Sequence, residues 1–103
     1  MVYPMLELTV KQRQYLKGLA HDLQPVVMIG NNGVTENVLK EIDNSLTAHE
    51  LIKIRVLGDD RLAREAIIED LCAATNASFV QHIGKLIVLY RASEKARIVL
   101  PKI

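Results

Sequence analysis

The chain has no tryptophan, one phenylalanine and three tyrosines among 103 residues. That scarcity excludes a sheet platform on which aromatic rings stack successive bases. One cysteine, Cys72, cannot close an internal disulfide, and no cysteine cluster is available for zinc. The longest apolar runs, Pro25 to Gly30 and Leu86 to Tyr90, fall far short of the ~20 residues needed to span a bilayer. The first residues lack a basic stretch followed by an apolar one, so no secretory signal is expected and a reducing cytoplasmic compartment is. Neither sign of charge dominates: 13 lysines and arginines face 12 aspartates and glutamates, a net charge of +1. A generally polycationic coat is thereby excluded, although a local basic face is not. No Gly-Lys-Ser/Thr follows a glycine at P-loop spacing, and no paired carboxylates, metal-ligand spacing or nucleophile–base pair stands out. An enzyme, a cofactor and a bound metal are therefore not expected.

Half of the residues are apolar, enough for one core, and the length predicts a single domain over residues 1–103 with a basic, partly ordered tail from about residue 92. Leu16, Leu19, Ala20 and Leu23 recur at helical spacing, so a helix is expected from about Thr9, its cap, to Leu23. Val26 to Ile29 is a β-branched run, read as a strand covered on at least one face and central in its sheet. A second helix is expected from Thr35 to His49, with Leu39, Ile42 and Leu46 inward and Val38 beside them. Ile52, Ile54 and Val56 alternate with Lys53, Arg55 and Leu57, a half-buried strand with a wet side. Asp59 or Asp60 caps a third helix, whose inward residues are expected to be Ala63, Ala66, Ile67, Leu71 and Ala74, and Asn76 suits a left-handed stop. Ser78 to Ile83 and Leu86 to Tyr90 read as a hairpin through Gly84-Lys85, a sequence suited to a type II′ turn. The expected fold is α/β, a helix followed by βαβαββ, with a four-stranded mixed sheet covered by helices.

Charge is sorted along this order. Residues 36–52 carry a net −3, residues 59–70 a net −3 and residues 71–103 a net +4. Between Leu8 and Ala20 there are three basic residues and no acidic one. Arg13, Lys17 and His21, four residues apart, form a stripe along one helix edge, with Lys11 nearby.

Gly30-Asn31-Asn32-Gly33 lies between the first strand and the second helix. Glycines bracketing two polar residues can turn peptide amides outward, and the helix that follows offers the positive end of its dipole. Such a loop can hold phosphate with few charged side chains, and its spacing matches the GxxG clamp of KH-type RNA-binding domains. By itself the tetrapeptide is more often just an ordinary turn.

Longer stretches carry more. Lys11-Gln12-Arg13-Gln14-Tyr15-Leu16-Lys17-Gly18-Leu19-Ala20-His21, Pro25 through Thr35, His49 through Ile54, Ile83-Gly84-Lys85 and Leu89-Tyr90-Arg91 follow in order. Over Leu8 to Tyr90 the chain resembles a single CRM domain (chloroplast RNA splicing and ribosome maturation), and specifically the stand-alone bacterial YhbY-like proteins. The resemblance implies a compact KH-like RNA-binding domain, with the GxxG loop touching RNA backbone. It also implies an association with precursors of the large ribosomal subunit. Many members carry lysine or arginine inside the loop where this chain has Asn31 and Asn32, which implies weaker, context-dependent binding.

The expected RNA-binding set is Gly30, Asn31, Asn32, Gly33, Lys11, Arg13, Lys17, His21 and Arg91. Lys95, Arg97 and Lys102 would extend the basic surface or simply solvate the tail. His49 and His82 read as structural or surface residues, Cys72 as a small packed one, and Lys85 as part of the hairpin loop. The expected partner is large-subunit ribosomal RNA or its precursor, within ribosomal particles, bound by a monomer. The alternative is a protein-interaction module that docks a basic ribosomal or regulatory protein on the acidic second and third helices.

Overall fold

The computed structural model describes residues 8–93 and 98–101. Its elements are α1 (Val10–Ala20), β1 (Pro25–Ile29), α2 (Glu36–His49), β2 (Leu51–Val56), α3 (Arg61–Thr75), β3 (Ser78–Ile83) and β4 (Leu86–Tyr90). The α/β architecture and element order are those expected.

The helix starts follow from local hydrogen bonding. Thr9 and Gln12 form a reciprocal capping box on α1, each side chain bonding the other's backbone N–H at 3.1 Å. The Thr35 hydroxyl accepts from the Val38 N–H, and Asp60 accepts from Leu62 and Ala63. Asn76 stops α3 at φ 57°, and Gly84 takes φ 55° while Lys85 stays at negative φ, as a type II′ turn requires. The first helix is shorter than its periodicity suggested. It ends at Ala20, and the Leu23 N–H bonds back to the Ala20 carbonyl before Pro25 begins β1.

The sheet order is β1-β2-β4-β3. β1 and β2 are parallel, whereas β4 pairs antiparallel with both β2 and β3. The hairpin thus folds its second strand inward, between β2 and β3. The central strands are β2 and β4, and β1 lies at an edge, contrary to the expectation for that apolar run. Val27 and Ile29 are buried, but Val26 and Met28 face outward and are 48% and 57% exposed.

Two apolar clusters sandwich the sheet. On one face α2 contributes Ile42 and Leu46, and α3 contributes Ile68 and Leu71, against Ile52, Ile54, Val56, Ile87 and Leu89. On the other, Leu16 and Ala20 of α1 meet Leu51, Val80, Val88 and Tyr90. Leu19 is left outward and Leu23 is half-buried. The inward face of α3 also differs from expectation. Ala63, Ala66 and Ala74 are exposed, while Arg64, Ile68, Leu71 and Thr75 are buried. Arg64 tolerates this position because Nη1 donates to the Gly58 carbonyl at 2.9 Å and Nε to His82 Nε2 at 3.2 Å.

The described part of the tail covers the α1 cluster with Ala92, Ile98 and Leu100. Glu50 ties it down. This residue is the single link between α2 and β2, at φ 66°, and is fully buried. Its carboxylate accepts from Ser93 N at 2.9 Å, Ser93 Oγ at 3.0 Å and Ile98 N at 3.0 Å.

Burial first, and then the nearby Glu50 charge, push the Tyr90 phenol above its ordinary pKa of 10.0. The unfolded chain therefore ionises first as pH rises. The resulting stability is complete below pH 10.0 and is lost as pH climbs through the folded value. Tyr90→Phe is expected to flatten the alkaline fall in urea midpoint, and an unchanged slope above pH 10.0 would count against this environment for the phenol.

Candidate nucleic-acid interface

Three connections meet at one end of the sheet. The Leu57 N–H donates to the Ile29 carbonyl at 2.9 Å, and the Val56 N–H to the Lys85 carbonyl at 2.8 Å. The Gly30–Gly33 loop, the Gly58 loop and the Gly84-Lys85 turn are thereby held side by side. Gly30-Asn31-Asn32-Gly33 is a closed turn, with the Gly33 N–H bonded to the Gly30 carbonyl at 3.0 Å. Asn31 and Asn32 are exposed at its tip.

The two glycines differ. Gly33 sits at φ 70°, where a side chain is strained. Gly30 has no positive φ, and a Cβ built on it meets nothing within 4 Å. The fold itself does not require glycine at position 30. Val34 and Thr35 separate the turn from α2, the Thr35 hydroxyl already satisfies one helix amide, and Glu36 occupies the first helical turn. The helix N-terminus is therefore a poorer anion site than the spacing suggested, and the turn's own amides remain the accessible donors.

The direction of α1 follows from its contacts. Arg13 Nε donates to the Phe79 carbonyl at 3.3 Å, near the start of β3. Lys17, Ala20 and His21 border Ile83 and Leu86, at the hairpin end. The stripe Arg13–Lys17–His21 thus runs toward the end that holds the turn. Lys11 does not share it, because six residues place it about 120° around the helix from Lys17. It is exposed on another face.

Beside this edge α1 leaves part of the sheet uncovered. Residues on the α1 face form two rows across all four strands. Met28, Arg55, Leu86 and Ile83 make the row nearest the turns, and Pro25, Lys53, Val88 and Gln81 the next. Among the described residues, Lys17, Lys53 and Arg55 have no ion-pair partner. Lys85, read as a hairpin-loop residue, pairs with Asp59 at 3.2 Å.

Arg91 departs from its expected role. Nη1 donates to Asp43 Oδ1 at 2.7 Å and to the Thr75 carbonyl at 2.9 Å. Nη2 donates to the Asp43 carbonyl at 3.0 Å and to Thr47 Oγ1 at 2.9 Å. The guanidinium is a clamp between α2 and the end of α3, with its side chain 14% exposed, and is not available to phosphate. Lys95, Arg97 and Lys102 lie outside the described residues. Cys72 packs against the α2/α3 cluster, and burial raises its thiol pKa, the opposite of what a nucleophile needs. His82 is the acceptor for Arg64, and His49 is exposed at the end of α2. Among the described residues no group of His, Cys, Asp and Glu could hold a metal ion, and no helix is long and apolar enough to cross a membrane.

Residues 8–91 match the family model of the CRS1 / YhbY (CRM) domain. A Haemophilus influenzae protein named "RNA-binding protein" is 55% identical over 98 residues, which are 95% of this chain and 99% of the relative. The Bacillus subtilis "Probable RNA-binding protein YqeI" is 40% identical over 95 residues, 91% of this chain and 99% of its own. The solution structure of a Staphylococcus aureus protein superposes with a TM-score of 0.81 at 44% identity, covering 92% of this chain and all of that one. The ordered motifs from Lys11 to Arg91, the strand order and these similarities agree, and the chain belongs to the CRS1/YhbY (CRM) domain family.

Proposed function

We propose that this chain is a non-catalytic RNA-binding protein that grips RNA backbone at the Gly30–Gly33 turn and attracts it with the α1 edge, chiefly Lys17 and His21. The observation that carries this reading is the cationic edge of α1 and β2, without ion-pair partners among the described residues, which runs toward the end of the sheet where the turn is exposed. The relatives' names support RNA as the partner. The family resemblance supports a narrower target, ribosomal RNA in precursors of the large subunit; binding as a monomer and a cytoplasmic location are the further parts of the proposal. Crosslinking by ultraviolet light in cells, followed by sequencing of the attached RNA, tests both levels. Reads concentrated on large-subunit ribosomal RNA support the assembly role. RNA recovery no higher than from an untagged control sinks the proposal.

The competing docking of a basic protein on α2 and α3 meets two acids already held in ion pairs, Asp43 with Arg91 and Glu65 with Arg61, while Glu36, Glu41, Glu69 and Asp70 stay exposed.

Gly30→Ala separates the needs of the fold from those of the ligand. The backbone at Gly30 accepts a Cβ without contact, so stability should hold or rise by about 0.4–1 kcal/mol. RNA affinity should fall, because the added methyl stands where a phosphate must approach the turn. Thermal melts and filter binding check the pair of outcomes, and a stable variant with full affinity would show that the ligand does not approach Gly30 closely.

A further inference from the structure

We propose that the cleft between α1 and the uncovered sheet face receives one unpaired nucleobase of the RNA whose backbone is held at the Gly30–Gly33 turn. The inference rests on the RNA-binding reading and adds a second site to it. Lys17, Ala20 and His21 form one wall, and Lys53, Gln81, Ile83, Leu86 and Val88 form the floor and the other wall. The space is about 140 Å³, room for a single ring system and not for a stacked run.

Its chemistry fits a base attached to an anionic backbone. Half-buried Leu86 offers an apolar surface to a planar ring, and the almost fully buried Ala20 and Val88 close the bottom of the cleft. No carboxylate lines the cleft, and Lys17 and Lys53 have no ion-pair partner among the described residues. Ile83, 56% exposed, forms an apolar lip. Gln81 supplies both an amide donor and a carbonyl acceptor, the pair that reads a base edge. Its placement has a specific cause. The register of β3 on β4 shifts between Phe79 and Gln81, so Val80 is an extra residue. Without this bulge, alternation would turn Gln81 toward α2 and α3; with it, Gln81 pairs Val88 on the α1 face.

The cleft and the turn are continuous. Two strand spacings, about 10 Å, separate β1 from β4. Met28 and Arg55 fill the interval in the same row as Leu86 and Ile83. A strand leaving the turn crosses Arg55 and reaches the cleft within a few nucleotides.

Methyl and amide NMR of the full chain tests the proposal with two probes, a twelve-residue oligoadenylate and an abasic ribose-phosphate strand of equal length. Both should shift the Gly30–Gly33 amides, while only the oligoadenylate should shift the Ile83, Leu86 and Val88 methyls. Gln81→Ala should weaken the oligoadenylate roughly fivefold and leave the abasic strand unchanged. Loop shifts with silent cleft methyls would overturn the base site and leave RNA binding standing. Silence at both places with both probes would overturn the two together. Equal methyl shifts from the abasic strand would make the cleft a backbone site, and shifts on concentrating the protein alone would make its occupant a second copy. Either result overturns the proposal.

Discussion

Replacing both Asn31 and Asn32 by aspartate is expected to abolish measurable RNA binding without disturbing the fold. Both side chains are exposed at the tip of the turn and outside either apolar cluster. Surface substitutions of this kind change stability by about 0.5 kcal/mol or less. Binding is another matter, because the turn presents amides to an anion and the new carboxylates stand in the anion's path. At about 4 Å, like charges repel by about 1 kcal/mol even in bulk water, and by more where water is displaced. Two such carboxylates weaken binding by at least roughly thirtyfold. The loss should shrink as salt screens the repulsion. Filter binding at two ionic strengths, with a thermal melt of the double variant, measures both halves. A folded double variant with unaltered affinity would remove the turn from the interface.

Glu50→Ala is expected to destabilise the fold by about 3 kcal/mol, as much as truncating a core side chain. The side chain accepts three hydrogen bonds from Ser93 and Ile98, and truncation strips those donors of their acceptor. The tail then loses its hold over Leu16, Val88 and Tyr90, which it helps to cover. For a domain of this size the midpoint of thermal unfolding should drop by about 15 °C. Glu50→Gly separates two contributions, since it removes the carboxylate while relieving the φ of 66°. It should lose about 1 kcal/mol less than the alanine variant. Urea unfolding of the three proteins decides the matter, and equal midpoints would show that the carboxylate does not anchor the tail.

Local chemistry was the legible part of this chain. Thr9, Thr35 and Asp60 cap their helices, Asn76 stops α3 and Gly84-Lys85 turns the hairpin, because each depends on residues within a few positions. Non-local features were hidden. The run Val26 to Ile29 read as a central strand because it is continuously apolar, yet β1 is an edge strand and α1 packs on β2, β3 and β4 instead, leaving Val26 and Met28 exposed. Alanines misled the reading of α3, since a small side chain fits either face and carries little directional information. Arg64 was missed because a buried arginine depends on acceptors from distant segments, here Gly58 and His82. Glu50 had a sequence clue: a helix ending at His49 and a strand beginning at Leu51 leave one residue to reverse the chain. Of the expected RNA-binding residues, the turn and the Lys17–His21 edge gather at one end. Lys11 and Arg91 do not, because helix rotation and an intramolecular clamp place them elsewhere. Gln81 could not be foreseen, since its facing depends on a bulge in β3.

The hydrogen bond from Gln12 Nε2 to the Pro101 carbonyl, at 3.1 Å, brings the two extremities of the described chain together. They meet at the start of α1, at the far end of the sheet from the Gly30–Gly33 turn. The module is therefore built like a hand on a wrist. A partner joined directly at Leu8 or Pro101, the ends of the described residues, leaves from the wrist and keeps the gripping end clear. The same closeness makes residues 8–101 a candidate for circular permutation, with a short linker from Pro101 to Leu8 and new ends opened in an exposed loop.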